Sequence, residues 1–152
     1  MTLENLLRLE GMWEGEYHLF LNPKEPARIS QSEMKISPLL NNKFVELKYS
    51  WYEEIPQEGG IILTYNPKKQ LIVTNWVDSW HMGYEIMRCE GYIENNEYYF
   101  TGSYGVSNGP NWGWRTEIKN ITNQNFEFLM YNISPKGDHQ LAVKVLYSQI
   151  KK

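Results

Sequence analysis

The sequence predicts an all-β fold, a single antiparallel up-and-down barrel of about nine or ten strands with a short N-terminal helix. Turn-forming residues recur at short intervals along the 152-residue chain. The segments between these turns alternate apolar and polar residues with the period of two that a strand shows. No helix-length apolar period separates the segments, which excludes a parallel βαβ sheet. Closing this many strands into a barrel removes the exposed edges.

The helix is predicted within residues 1–10. It is indicated by leucines at helical spacing between Thr2, the expected N-cap, and Gly11, which ends the segment: Leu3, Leu6 and Leu7. Residues 11–150 then supply the barrel, so that residues 1–152 form one domain.

Asn, Gly and Pro mark the turns between strands, because these residues favour positive φ or fix φ. The predicted turns are Asn22-Pro23, Asn41-Asn42, Gly59-Gly60, 66–69, Asn95-Asn96, Asn108-Gly109-Pro110, 123–125 and 135–138. Alternation is clear in the last strand, where Leu141, Val143, Val145 and Tyr147 share one face. The same alternation places Trp13, Gly15 and Tyr17 on one face of the first strand.

Composition and charge exclude several classes of function. The net charge is −3 and no run of Lys or Arg forms a basic stripe, which argues against binding to nucleic acid or to a membrane. Residues 1–10 lack the pattern of a signal peptide, and no apolar run reaches the length of a membrane span. Cys89, the single cysteine, cannot form an internal disulfide. We therefore expect a cytoplasmic protein.

Gly11-Met12-Trp13 resembles the Gly-x-Trp signature of lipocalins and their calycin relatives. This resemblance implies that Gly11 permits a close turn and that Trp13 plugs one end of the barrel. It also implies that a basic side chain from a late strand packs over the Trp, and Arg115 is the candidate, through a cation–π contact of about 1 kcal/mol.

Three further stretches are similar to a bacterial family of calycin-like proteins known mainly as a domain of unknown function. They are Gly60-Ile61-Ile62-Leu63-Thr64-Tyr65-Asn66, Trp76-Val77-Asp78-Ser79-Trp80-His81-Met82 and Gly91-Tyr92-Ile93. This resemblance spans nearly the whole chain and implies a calycin-type barrel. It implies nothing specific about the activity.

The opening residues 11–15 also resemble those of nitrobindin-like haem barrels, more distantly. That family continues with a further Gly where this chain has Tyr17, and it needs a late-strand His to ligate iron. The late histidine here, His139, falls in a predicted turn, so haem is disfavoured and no cofactor is predicted. No metal site is predicted either, because the three histidines have no paired spacing and no cysteine cluster accompanies them.

The aromatic share is high, at 14%, and includes 6 Trp and 11 Tyr. Such side chains line small-molecule cavities, although a barrel core also needs bulky residues. We expect a small, partly apolar ligand inside the barrel. The predicted ligand-binding residues are Trp51, Tyr65, Trp76, Trp112, Trp114, Arg115 and Tyr131.

An enzyme using the same cavity is the alternative, as an isomerase, lyase or hydrolase. His81 would be its acid/base, Asp78 would orient the imidazole, and Arg115 would stabilise developing negative charge. Strand alternation puts Asp78 and His81 on opposite faces, unless a bulge intervenes. Alternatively, Asp78 and His81 lie at the end of a strand and their side chains hydrogen-bond to nearby backbone groups.

A homo-oligomer is the third hypothesis. Aromatic residues on both faces of one strand, Tyr49, Trp51 and Tyr52, could form a patch through which two copies make a homodimer.

Overall fold

A computed structural model describes residues 2–150; residues 1, 151 and 152 of the predicted domain lie outside the described residues. Ten antiparallel strands close into a barrel in which each strand pairs with its neighbours in sequence and β1 pairs with β10. This confirms the predicted fold class. The elements are α1 (Glu4–Leu7), β1 (Gly11–Leu19), β2 (Arg28–Leu39), β3 (Phe44–Glu53), β4 (Ile55–Asn66), β5 (Leu71–Asp78), β6 (Met87–Glu94), β7 (Glu97–Tyr104), β8 (Trp112–Lys119), β9 (Asn125–Ile133) and β10 (His139–Gln149).

The up-and-down order gives the barrel two different ends. At the closed end lie α1 and the short turns 40–43, 67–70, 95–96 and 120–124; at the open end lie the longer segments 20–27, 79–86, 105–111 and 134–138. Inward-facing aromatic and aliphatic side chains from all ten strands form one buried core inside the barrel.

The closed end is sealed by α1 and Trp13. Leu6 is fully buried, and the Trp13 indole N–H donates to the carbonyl of Leu9 at 2.8 Å. The Trp13 ring meets Phe126 edge to face, with centroids 5.0 Å apart. The helix is shorter than predicted, and its N-cap is Leu3 instead of Thr2. The Thr2 hydroxyl instead accepts the N–H of Glu4 at 3.1 Å.

Arg115 does not pack over Trp13. Its guanidinium carbon lies 4.9 Å from the centroid of the Tyr99 ring, and its Nε donates to Glu117 at 2.6 Å. The reason is strand parity: Trp114 and Thr116 are buried inside the barrel, so Arg115 between them faces outward.

The predicted turn at Gly59-Gly60 is wrong, because β4 runs through both residues. The chain reverses earlier, at Glu54, which adopts a positive φ of 65°. The glycine is needed for close packing: a Cβ added at Gly59 would lie 2.6 Å from Cε2 of the Tyr49 ring, and closer still to its hydroxyl end. Gly59 thus makes room for a buried tyrosine.

Among residues 2–150, no helix combines the length and apolar character needed to cross a membrane.

Gly91→Ala is expected to destabilise the barrel by about 1–3 kcal/mol, because it forces overpacking against backbone. An added Cβ would lie 2.6 Å from Phe100 Cα, and closer to the Tyr99 carbonyl oxygen. Urea denaturation measures the effect as a lowered midpoint.

Gly60→Ala is the matched control, since its Cβ would meet nothing nearer than 3.8 Å. We expect it to leave stability unchanged or raised by up to about 1 kcal/mol. Equal losses in the two variants would contradict the packing described for Gly91.

Candidate functional site

A cleft of about 700 Å³ opens at the open end of the barrel. Segment 79–86 forms one side of it, and the ends of β5–β8 form the other. Its walls consist of Trp76, Trp80, His81, Met82, Glu85, Ile86, Met87, Ser103, Tyr104, Gly105 and Trp114. The lining is mostly aromatic and apolar, with a few polar groups, which is typical of small-molecule sites.

Asp78 ends β5 and holds the segment that follows it. Its side chain is buried, and Oδ1 accepts the main-chain N–H groups of Trp80 at 2.9 Å and of His81 at 2.8 Å. The Met82 N–H bonds to the Asp78 carbonyl at 3.0 Å, which closes a turn. Because the chain turns here, strand alternation ends at Asp78 and the His81 ring comes back over the barrel interior.

The other carboxylate oxygen of Asp78 belongs to a buried chain of hydrogen bonds. The Tyr49 hydroxyl donates to Oδ2 at 2.7 Å, and the Trp76 indole N–H donates to the Tyr49 oxygen at 2.9 Å. Trp76, in the wall of the cleft, is thus linked through Tyr49 to the Asp78 carboxylate. The same carboxylate holds segment 79–86 in place. Burial and the nearby Asp78 charge raise the pKa of Tyr49 well above 10, so its hydroxyl stays protonated.

Four indole rings surround the half-buried His81. Their ring centroids lie between 4.8 and 5.8 Å from the imidazole: Trp80, Trp114, Trp51 and Trp76. His81 Nε2 lies 3.2 Å from the Tyr17 hydroxyl. Burial lowers the pKa of His81 from 6.5 to about 4, and the nearby Asp78 charge opposes this only in part. The imidazole is therefore neutral at pH 7.

Two indole N–H groups beside His81 have no hydrogen-bond partner. They are the buried Nε1 atoms of Trp51 and Trp114. The rings themselves are well packed: Trp51 stacks on Tyr17 with centroids 4.3 Å apart, and Trp114 stacks on Trp76 at 5.2 Å. An unpaired buried donor costs about 1–3 kcal/mol, so each of these two indoles lowers the stability of the folded barrel.

The structure brings five of the predicted site residues together at the open end: Trp51, Trp76, Trp114, Asp78 and His81. The Asp78 carboxylate holds the main chain of His81, and its hydrogen bonds do not include the imidazole. Tyr17 and Tyr49 were missed as site residues. The alternation of β1 put Tyr17 on the same face as Trp13, but nothing in the sequence linked it to His81.

The other predicted ligand-binding residues lie elsewhere. Tyr65 is at the closed end, near the end of β4. Arg115 and Tyr131 are paired neighbours on the outer face of β8 and β9, so Arg115 cannot stabilise charge inside the cleft. Trp112 is half-buried at the start of β8, opposite Tyr104, and is not part of the cleft wall.

The aromatic patch suggested for a homodimer does not form. Tyr49 and Trp51 are buried inside the barrel, and only Tyr52 is exposed on the outer face. The parity of β3 separates these side chains, since adjacent residues of a strand point to opposite faces.

The family described as "Protein of unknown function (DUF1579)" matches residues 3–149, and the chain belongs to this family. A comparison with curated proteins gives no match. Two solved structures share the fold at 10% sequence identity. Rv2717c from M. tuberculosis has a TM-score of 0.65, over 98% of this chain and 97% of its own. The S-type phycobiliprotein lyase CPES from Guillardia theta has a TM-score of 0.63, over 100% of this chain and 94% of its own.

Tyr49→Phe is expected to lower the free energy of unfolding by about 1–3 kcal/mol, because it leaves Asp78 Oδ2 and the Trp76 N–H without a partner. Tyr52→Phe, on the same strand, removes an exposed hydroxyl that bonds to Glu54 and should change stability by less than about 0.5 kcal/mol. Urea unfolding of both variants measures the difference. Equal costs would argue against the buried chain of hydrogen bonds.

The depressed pKa of His81 predicts a loss of stability in acid. Between pH 6.5 and about 4 the unfolded chain takes up a proton on this residue and the folded chain does not, so stability falls as the pH falls through this range. The contribution is about 2–3 kcal/mol. Urea unfolding at several pH values should show a His81→Gln variant without this loss.

His139→Gln serves as the control, because His139 lies on the outer surface at the start of β10. It should keep the acid dependence of the unmodified protein. An acid dependence that is the same in His81→Gln as in the parent protein would show that His81 is not the group responsible.

Proposed function

We propose that this member of the DUF1579 family binds a small, partly apolar molecule in the cleft at the open end of the barrel. The observation that carries the proposal is a cleft of about 700 Å³ whose wall includes the rings of Trp76, Trp80, His81, Tyr104 and Trp114. A barrel that only needed a filled core would not leave this space.

The contrast between the two ends of the barrel supports this proposal. At the closed end the Trp13 N–H is bonded to Leu9 and the ring packs on Phe126. At the open end the donors of Trp51 and Trp114 lack partners, although both rings are packed. Among the buried indoles at the open end, Trp76 is paired with Tyr49, whereas Trp51 and Trp114 are unpaired.

The rigidity of the wall also supports binding. Trp76 is held through Tyr49 to Asp78, and Trp114 stacks on Trp76 with only 13° between the ring planes. A ligand seated on this wall meets side chains whose rotamers are already fixed, which lowers the entropy cost of binding. The relative named as a phycobiliprotein lyase is compatible with a small-molecule site in this fold, and its 10% identity adds nothing finer.

An enzyme is the second candidate, favoured by the contact between His81 Nε2 and the Tyr17 hydroxyl at 3.2 Å. The imidazole is neutral at pH 7 and can accept a proton, but its pKa of about 4 makes it a weak base. Burial raises the pKa of Tyr17 well above 10, so its hydroxyl is a weak acid. In this reading His81 and Tyr17 exchange protons with a substrate in the cleft, while Asp78 positions the main chain of His81. Arg115 has no part in it.

Native mass spectrometry of the protein purified gently from its own host tests the proposal. We expect a stoichiometric adduct that is lost on denaturation. Trp80→Ala should lower the fraction of protein that carries the adduct, since losing one aromatic contact weakens binding by about two- to tenfold. Trp80 lines the cleft but is 41% exposed, so this change spares the core.

Tyr84→Ala is the matched control, because Tyr84 is a fully exposed aromatic residue on the same segment and outside the cleft wall. It should retain the adduct. Equal loss in both variants, or a bare chain mass in every preparation, would argue against a ligand in the cleft. A different adduct mass in His81→Gln than in the parent protein would favour the enzyme, since unconverted substrate would then accumulate.

A further inference from the structure

We infer that two copies of this chain associate through the outer wall of the barrel, with the Tyr84 ring of each copy seated in a groove on the other. The groove lies on the outer face of β4 and β5, beside segment 79–86. This contact is separate from the cleft and goes beyond the proposed function. Three features of the surface point to it: a protruding aromatic side chain, an apolar groove next to that side chain, and charges of both signs along the groove.

Tyr84 protrudes from the molecule. Its side chain is fully exposed, which is true of no other large apolar side chain among residues 2–150. An aromatic ring stabilises a protein by being buried, and Tyr84 gains nothing of this kind within its own chain. Because single exposed aromatic residues are ordinary on protein surfaces, the surroundings of Tyr84 decide what this exposure means.

A groove of about 600 Å³ lies next to Tyr84 on the outer wall. Its apolar lining includes Ile62, Val77 and Ile86, which are 45%, 44% and 67% exposed. Gly83 and Ile86, on either side of Tyr84 in the sequence, both line the groove. The protruding ring and the groove therefore belong to one continuous surface.

Gly60 contributes open space to this groove. It faces outward between Lys48 of β3 and Val77 of β5, with which it pairs. A Cβ added at Gly60 would meet nothing nearer than 3.8 Å, so the space above its main chain is open. An aromatic ring from another molecule can lie there against β-branched side chains, a combination that stabilises sheets when it occurs between strands.

The groove carries charges of both signs. Its solvent-accessible charged residues are Glu46, Lys48 and Glu58, and none of the ion pairs among residues 2–150 involves them. When two copies meet about a two-fold axis, Lys48 of one copy can pair with a glutamate of the other, and the same contact forms twice. The Tyr84 hydroxyl can donate to a carboxylate in the same way. The surface is therefore complementary to a second copy of itself.

Other kinds of partner fit the groove less well. Small-molecule sites bury most of their ligand, whereas the apolar lining here is open on the outer wall. Nucleic acid requires an excess of positive charge, and the groove has more carboxylates than ammonium groups. A partner cannot add a strand, because every strand of the barrel already pairs on both sides.

Sedimentation velocity across the micromolar range tests the inference. We expect the unmodified protein to form a dimer as its concentration rises. Tyr84→Ala should weaken this dimer at least about tenfold, as expected for removing an aromatic anchor from an interface. Tyr84→Phe keeps the ring and should retain most of the dimer. Both variants should unfold in urea like the parent protein, because the side chain of Tyr84 is fully exposed.

Val77→Arg places a charge in the groove and should also weaken the dimer at least about tenfold. Leu146→Arg is the matched control, because Leu146 is an aliphatic residue of β10 that is 53% exposed and does not line the groove. It should leave the dimer unchanged.

Photo-crosslinking identifies the contact directly. A variant with p-benzoylphenylalanine in place of Tyr84 should crosslink to β4 or β5 of a second copy, in the peptide that contains residues 58–62 or 75–77. Mixing isotope-labelled and unlabelled copies distinguishes a crosslink between two copies from one within a single chain. In the host cell, crosslinks from position 84 only to a different protein would overturn the inference in favour of that partner.

A monomer at every concentration would overturn the inference. A dimer that withstands both Tyr84→Ala and Val77→Arg, or that Leu146→Arg weakens equally, would place the contact on another face and would overturn it as well. Association beyond two copies would contradict the two-fold arrangement. Because Tyr84 lies outside the cleft wall, none of these results bears on the ligand proposed for the cleft.

Discussion

The open end of the barrel depends on the buried carboxylate of Asp78. A buried charge is stable only if hydrogen bonds replace its water, and here two main-chain N–H groups and the Tyr49 hydroxyl do so. These bonds end β5, turn the chain, and place His81 over the interior. Through Tyr49 they also fix Trp76, so one residue sets the positions of both sides of the cleft.

Gly59 is part of the same arrangement, although it lies on another strand. Its missing side chain leaves room for the Tyr49 ring, and the Tyr49 hydroxyl then reaches Asp78. Gly59 was predicted to form a turn, but the site needs a glycine there so that the Tyr49 ring can pack against the main chain. Because residues 59–60 form no turn, β4 is twelve residues long.

The fold could be predicted from the sequence because alternation is a local signal, repeated in every strand. The site could be predicted only in part. Trp76 and Trp114 lie inside the barrel at its open end, whereas Tyr65, which was predicted with them, lies at the other end. His81 does not follow strand alternation, because the Asp78 side chain accepts its main-chain N–H and the chain turns just beyond β5. Bonding of Asp78 to nearby backbone was an alternative that the sequence offered, whereas its hydrogen bond with Tyr49 on another strand is not visible in any local pattern.

The two unpaired indole donors make the folded barrel less stable than it could be, and this is an argument about function. Replacing Trp51 or Trp114 with Phe would keep much of the ring packing and remove a buried donor that has no partner. The barrel shows at Trp13 that it can satisfy an indole N–H when the ring serves only to seal an end. Unsatisfied polar groups concentrate where a protein gives up stability for a task. Since both such indoles border His81, that task belongs to the open end.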